Sequence, residues 1–145
     1  MKYYFAYGSN MDFEQMLFRC PDARPVERAI LYGYRFIINA RGVATIVRDP
    51  ENLVMGLVWK LGEDDEAALD LYEGVRGGYY GKSNATVEAL SSDRVYDCLV
   101  YVASENRPGC PREGYLETII DACRKFQFPA RYTATLEKLL AGKKG

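Results

Sequence analysis

The chain has 145 residues, of which 48% are apolar and 27% charged, and its formal net charge is −1. This size and composition fit one globular domain, and the near-neutral charge gives no reason to expect a nucleic-acid partner. The absence of histidine excludes Ser-His-Asp and Cys-His nucleophile systems and most zinc sites, so acid–base chemistry near neutral pH would need a carboxylate, Tyr, Lys or Cys with a shifted pKa.

The chain opens with a predicted strand over residues 2–7, which leads into a small polar turn, Gly8-Ser9-Asn10. A helix is predicted after the turn. Asp12 is placed to cap this helix, with Gln15 three residues later as in a capping box. The apolar residues that follow at helical spacing are Phe13, Met16, Leu17 and Cys20.

Strands dominate the middle of the chain, and helices its last third. The further predicted strands cover residues 28–39, 43–47, 53–61, 79–89 and 94–103, and the further predicted helices cover 63–73, 113–125 and 129–141. A turn at 49–52 separates the second and third of these strands. Antiparallel hairpins with few helices between them predict an α+β fold, a small mixed or antiparallel β-barrel with flanking helices, as one domain over 1–145.

The Gly8-Ser9-Asn10 turn is the first candidate site. A strand that ends in such a turn and gives way to a helix leaves several backbone N–H groups unpaired, next to the positive end of the helix dipole. Gly8 allows the tight turn and the close approach of a ligand. The turn is therefore a candidate anion site, unless Ser9 or Asn10 merely caps the helix.

Glu73 is the second candidate, because it stands at the C-terminal end of a predicted helix, directly before Gly74. The helix dipole disfavours a carboxylate there, and partial burial among neighbouring aromatic residues would raise its pKa further. Such a base suits an enzyme without histidine. Helical periodicity supports a different interpretation, in which Glu73 is a solvated acid on the polar face with Glu66 and Asp70.

Together these stretches resemble the gamma-glutamylcyclotransferase family. The resemblance rests on YGSNM at 7–11, GVATI at 42–46, GLVWKL at 56–61, EGVRGGYY at 73–80 and GYLETIIDACRKFQFPARYTATL at 114–136. These segments occur in the family's order and span nearly the whole chain. The resemblance implies a small mixed barrel that acts on L-γ-glutamyl compounds, releases 5-oxoproline and a free amine, takes part in glutathione metabolism, and uses no cofactor or metal.

The resemblance also implies roles for residues of this chain. Glu73 takes the position of the general acid–base, and the 8–10 turn binds the glutamyl end through backbone N–H groups that hold either the α-carboxylate or the developing oxyanion. Tyr7 is expected to line the pocket. Tyr80 and Tyr115 are expected to donate hydrogen bonds through their hydroxyls, with ordinary packing as the alternative for each tyrosine.

The sequence does not determine the chemical identity of the amine half of the substrate. The segment between Asn39 and Gly42 is shorter than the insertion that family members acting on γ-glutamyl amino acids often carry. Arg41 or Arg76 would then meet a substrate carboxylate, or either is an ordinary surface arginine. Residues 42–46 are expected to shape the barrel and not to touch the substrate.

Three other functions remain as alternatives. One is a cyclotransferase of the same fold that acts on γ-glutamylamines or on a biosynthetic intermediate. Another is a binding module that senses a carboxylated metabolite without catalysis, although an acid in such a pocket argues against it. The third is a plain interaction domain, which would leave Glu73 fully solvated.

The expected location is the cytoplasm. No apolar stretch is long enough to span a membrane, and no secretory signal precedes the first strand. Four scattered cysteines without a C-x-x-C pair fit reduced thiols. The expected partner is a small γ-glutamyl molecule, with neither nucleic acid nor membrane, and dimers among similar proteins leave a homodimer open.

Overall fold

Strands and helices alternate unevenly along residues 2–142, the part of the chain that the computed structural model describes. Met1 and residues 143–145 of the predicted domain lie outside the described residues. The strands are β1 (Lys2–Ala6), β2 (Arg24–Ile38), β3 (Ala44–Leu61), β4 (Tyr80–Ala89) and β5 (Val95–Ala103). The helices are α1 (Phe13–Arg19), α2 (Asp65–Tyr72), α3 (Tyr115–Lys125) and α4 (Ala130–Gly142), with a short 3₁₀ turn at Ser9–Met11.

The strands close into a barrel in the order β1-β3-β2-β4-β5. β1 is antiparallel to β3 and parallel to β5, where Tyr3 pairs with Cys98 and Tyr4 with Leu99. The other neighbouring pairs are antiparallel. The predicted α+β barrel with flanking helices is confirmed, and its closure places the end of β1 among elements from the whole length of the chain.

The prediction of two separate strands at 43–47 and 53–61 is wrong, because both belong to β3. Pairing with β2 changes register from Leu53 opposite Tyr32 to Arg48 opposite Tyr34, so residues 49–52 lie across from Gly33 alone. Gly33 accommodates the irregularity with a φ of +85°. Residues 49–52 form a local bulge in β3 and not a turn between two strands. The pairing of β3 with β2 continues on both sides of the bulge.

The core forms where the barrel interior meets the helices. Residues 54–59 of β3 are all buried, as expected for a strand covered on both faces. Helix α3 buries residues at positions i, i+3, i+4 and i+7, namely Leu116, Ile119, Ile120 and Cys123. Each such aliphatic side chain stabilises the fold by about 1.5–3 kcal/mol.

Helix α1 departs from its predicted apolar stripe. Met16 and Cys20 are fully buried, but Leu17 is 39% exposed. None of the described helices is both long and apolar enough to cross a bilayer.

Candidate active site

A cavity of about 290 Å³ opens where β1 ends. The structure brings all seven residues predicted for the site into its lining: Tyr7, Gly8, Ser9, Asn10, Glu73, Tyr80 and Tyr115. They come from the first turn, the end of α2, the start of β4 and the start of α3. The cavity is therefore built from segments that are far apart in sequence, which only the closed barrel brings together.

The first turn leaves donors free. The Met11 N–H donates to the Gly8 carbonyl and the Asp12 N–H to the Ser9 carbonyl, both at 3.1 Å. The N–H groups of Gly8, Ser9 and Asn10 have no acceptor within residues 2–142. Asp12 is the N-cap of α1, so neither Ser9 nor Asn10 caps that helix. The turn thus offers backbone donors to the cavity, as anion sites require.

Both polar atoms of the Asn10 side chain form hydrogen bonds within the protein. Its Nδ2 donates to the Tyr4 hydroxyl at 2.9 Å, and its Oδ1 accepts from Gln15 Nε2 at 3.1 Å and from Arg19 Nη1 at 3.0 Å. Asn10 is itself buried. The side chain therefore fixes Tyr4 and Arg19 beside the cavity, while the backbone of the turn remains open to a ligand.

Glu73 is the C-cap of α2, which Gly74 terminates with a φ of +66°. Its carboxylate has no hydrogen bond or ion pair among the described residues, although it is partly buried. Burial raises the pKa of the Glu73 carboxyl, and the positive charge of Arg19 opposes that rise.

Glu73 does not share the environment of the other acids of α2. Glu66 and Asp70 both form ion pairs with Lys82 on β4, the latter at 3.0 Å. Glu73 instead lines the cavity. The interpretation of Glu73 as a fully solvated acid beside Glu66 and Asp70 is therefore wrong, because Glu73 is partly buried in the wall of the cavity.

Tyr80 and Tyr115 contact the same backbone unit in opposite senses. The Tyr80 hydroxyl donates to the Ala44 carbonyl at 2.6 Å, whereas the Tyr115 hydroxyl accepts from the Ala44 N–H at 3.1 Å. The Tyr115 proton thus has no acceptor in the described chain, and the Tyr80 proton is already engaged. Burial raises the pKa of both hydroxyls, so both remain protonated.

The Tyr7 hydroxyl donates to the Tyr101 carbonyl at 2.6 Å. Because this buried bond uses the hydroxyl proton, Tyr7 contributes the wall of the cavity and holds β1 against β5. Its pKa is raised well above the ordinary value by burial.

Some lining residues could not be found from the sequence. Val43 and Ala44, from the segment expected to shape the barrel, also line the cavity. Arg19 and Arg112 also line it, together with Arg41; Arg76 does not. A cation in the last turn of a helix, like Arg19, is ordinary, and Arg112 lies in a loop, so neither carried a distinguishing signal.

Among the described residues, the site therefore combines a carboxylate without a partner, free backbone N–H groups and a tyrosine hydroxyl with a free proton. This set can take up a proton and stabilise a negative charge on a bound molecule. Within residues 2–142, no group of three or more His, Cys, Asp or Glu side chains could hold a metal ion.

Known proteins share this architecture. The family model of the AIG2-like family matches residues 53–136, more than half of the chain. Gamma-glutamylcyclotransferases of Homo sapiens and Bos taurus are 28% and 27% identical over 146 aligned residues, covering 94% of this chain and 77% of each relative.

Solved structures agree with these matches. A structure named gamma-glutamyl cyclotransferase has a TM-score of 0.86 at 27% identity, covering 94% of this chain and 86% of that one. YkqA from Bacillus subtilis has a TM-score of 0.82 at 26% identity, covering 97% of this chain and 54% of its own. The matches confirm the predicted resemblance and the predicted fold.

Proposed function

This chain belongs to the AIG2-like family, and we propose that it is an enzyme of the gamma-glutamyl cyclotransferase type. In the proposed reaction, the α-amine of a γ-glutamyl group attacks its own γ-carbonyl carbon. A new C–N bond closes the ring, the C–N bond to the amine half breaks, and the products are 5-oxoproline and a free amine. The similarity to proteins named gamma-glutamylcyclotransferase supports this assignment.

The observation that carries the proposal is the environment of Glu73. A partly buried carboxylate without a hydrogen bond or ion pair destabilises the fold, and it would weaken the binding of an anion in the same pocket. Burial raises the pKa of this carboxyl above that of an exposed glutamate, which makes Glu73 a stronger proton acceptor. A catalytic base explains this arrangement, and a carboxylate-binding module does not.

The proton balance of the reaction assigns Glu73 two tasks. The α-nitrogen begins as an ammonium and ends as the lactam N–H, so it loses two protons. The amide nitrogen of the amine half begins as an N–H and leaves as an ammonium, so it gains two. Glu73 carries these two protons one after the other from the first nitrogen to the second, so no external acid or base is consumed.

The other lining groups act on charge and conformation. The reaction involves two negative charges, the α-carboxylate and the oxyanion that forms on the γ-carbonyl oxygen. The N–H groups of residues 8–10 and the free proton of Tyr115 are donors suited to these charges. Holding the glutamyl chain bent makes the attack intramolecular, which is equivalent to an effective concentration of roughly 10⁵ M or more.

The test is 5-oxoproline release from a panel of γ-glutamyl amino acids and γ-glutamylamines by the wild type, Glu73→Gln and Glu66→Gln. Gln preserves size but cannot accept a proton, and Glu66 is a matched control on the same helix, outside the cavity. We expect Glu73→Gln to lose at least about a hundredfold in kcat, and Glu66→Gln to retain activity.

Each other outcome has a defined meaning. If no panel member reacts but one stabilises the fold against heat, the binding module replaces the enzyme. If Glu73→Gln is as active as the wild type, Glu73 is not the base. If only γ-glutamylamines react, the enzyme belongs to the rival substrate class.

A further inference from the structure

Helix α2 ends at Glu73 in a complete capping motif. The Gly74 N–H donates to the Leu71 carbonyl at 3.2 Å, and the Val75 N–H donates to the Asp70 carbonyl at 3.0 Å. These two bonds, together with the φ of +66° at Gly74, define a Schellman motif. The backbone position of Glu73 therefore depends on the conformation of the glycine that follows it.

The ring of Tyr79 lies directly against that glycine. A Cβ placed on Gly74 would lie 2.9 Å from Cδ2 of the Tyr79 ring, and one placed on Gly77 would lie 3.2 Å from its Cε2. The Tyr79 N–H also donates to the Gly74 carbonyl at 3.1 Å. The ring occupies this place because residues 74 and 77 have no side chains, and Tyr79 contacts Gly74 through both its ring and its backbone.

An arginine from a distant loop holds the same ring. The guanidinium carbon of Arg41 lies 4.1 Å from the centroid of the Tyr79 ring, the geometry of a cation–π contact. Within residues 2–142, this guanidinium has neither a hydrogen bond nor an ion pair, so the ring is the group that fixes it. The Arg41 N–H donates to Oδ1 of the fully buried Asn39 at 3.0 Å. Tyr79 thus connects the end of α2 to a loop whose backbone is held from the core.

Ordinary core packing does not explain this ring. Tyr79 is 52% exposed, and it lines the cavity together with Glu73. The segment 74–78 contains three glycines, which give its backbone a large conformational freedom. Its far end is held where the Ser104 N–H donates to the Tyr79 carbonyl at 3.0 Å. The ring lies across this segment, beside the residue that must hold its geometry for proton transfer.

We propose that Tyr79 is a positioning residue for Glu73. Its ring, held by Arg41, keeps Gly74 in the conformation that ends α2, and so keeps the Glu73 carboxylate in place in the cavity lining. The inference rests on the proposed function, in which Glu73 is the base. It gives Arg41 a role that is exerted through the ring and not on the substrate.

The test measures kcat and KM for 5-oxoproline release from γ-glutamyl-alanine and γ-glutamyl-propylamine, and the variants are compared on the substrate that the wild type converts faster. The variants are Tyr79→Phe, Tyr79→Leu, Arg41→Gln and the double variant Tyr79→Leu/Arg41→Gln. Tyr32→Leu is the matched control, because Tyr32 is 54% exposed and lies outside the cavity lining. Thermal unfolding confirms that each variant is folded.

We expect Tyr79→Leu to lower kcat by about tenfold to a hundredfold with little change in KM, since a displacement of about 1 Å in a reacting group can cost a hundredfold. Tyr79→Phe should keep the wild-type kcat, because the ring makes the contacts, and Tyr32→Leu should keep it as well. Arg41→Gln should lower kcat in the wild type but have no further effect in the Tyr79→Leu background, since Arg41 acts through the ring.

Three results overturn the inference and leave the proposed function intact. The first is an unchanged kcat in folded Tyr79→Leu. The second is a loss that lies in KM alone, because the ring then binds substrate and does not position the base. The third is an equal effect of Arg41→Gln in both backgrounds, because the arginine then acts independently of the ring.

Two further cases are decided by the same measurements. If Tyr79→Leu does not fold, Arg41→Gln decides alone: a lower kcat at unchanged KM supports the inference, and any other result overturns it. If the wild type releases 5-oxoproline from neither substrate, the proposed function is overturned, and the inference with it.

Discussion

The hydroxyl of Tyr115 accepts a hydrogen bond from the Ala44 N–H at 3.1 Å. Tyr115 is the first residue of α3, and Ala44 is the first residue of β3. The bond leaves the tyrosine's own proton without an acceptor among the described residues. Two residues that are distant in sequence thereby leave a hydroxyl proton available in the lining of the cavity.

Tyr115→Phe should therefore reduce kcat by about a hundredfold, the lower end for loss of one donor to an oxyanion. Tyr80→Phe should reduce it by less than about tenfold, because the Tyr80 proton is engaged by the Ala44 carbonyl at 2.6 Å. Each variant removes one hydrogen bond to Ala44, so we expect similar losses of stability. The unfolding midpoints of the two variants therefore test whether a difference in kcat comes from a difference in stability. Equal losses of kcat would show that the free proton of Tyr115 has no special part.

The pH dependence of kcat/KM should have an acid limb above the ordinary carboxyl pKa of 4.5, because burial raises the pKa of Glu73. The base must be ionised to accept a proton, so activity falls as the pH falls through the raised pKa of Glu73. Arg19→Gln removes a positive charge that lowers the pKa of Glu73, and it should move the limb to higher pH. A limb at the same pH in this variant would contradict the assignment.

Glu73→Gln should increase the free energy of unfolding near neutral pH. A buried acid with a raised pKa binds protons more tightly when folded, so its contribution to stability is present below 4.5 and is lost as pH rises through the folded pKa. The wild type then holds an unfavourable buried charge that Gln does not. Urea unfolding should show a difference near neutral pH that shrinks below pH 4.5; a constant difference would point to another cause.

Gly56→Ala should destabilise the protein by about 1–3 kcal/mol, the usual effect of overpacking. A Cβ at Gly56 would lie 2.4 Å from the Ala6 carbonyl oxygen and 2.9 Å from the Phe5 ring. Gly81→Ala is the matched control within a strand, because its nearest contact would be the Val102 oxygen at 3.9 Å. Urea unfolding of both variants tests this close approach of β3 to β1.

Local sequence patterns predicted most of the helices and strands. They failed where contacts between residues distant in sequence determine the structure. Asp12 accepts from the Gln15 N–H at 3.0 Å, as the capping pattern predicted. The Gln15 side chain, however, reaches Ser9 and Asn10, which a pattern of local spacing does not contain. The predicted turn at 49–52 became a bulge because pairing with β2 on both sides outweighs the local turn.

The candidate site likewise contains residues that local sequence patterns could identify and residues that they could not. Glu73 stood out because its position at a helix end conflicts with the helix dipole, and residues 8–10 because a strand ended in small polar residues. Arg112 showed no such conflict. It joins the cavity through a bond from its Nε to the Arg41 carbonyl, and only the meeting of two loops creates that contact.

The position of β1 in the barrel determines when the site forms during folding. Lys2 pairs with Leu61 on one side and Tyr3 with Cys98 on the other, so the first strand of the chain finds its partners only among much later residues. Such pairings between distant residues form slowly, because loop-closure entropy is lost before they stabilise the chain. During synthesis, the Gly8-Ser9-Asn10 turn must wait for β5, and competence to bind a ligand arises only as the barrel closes.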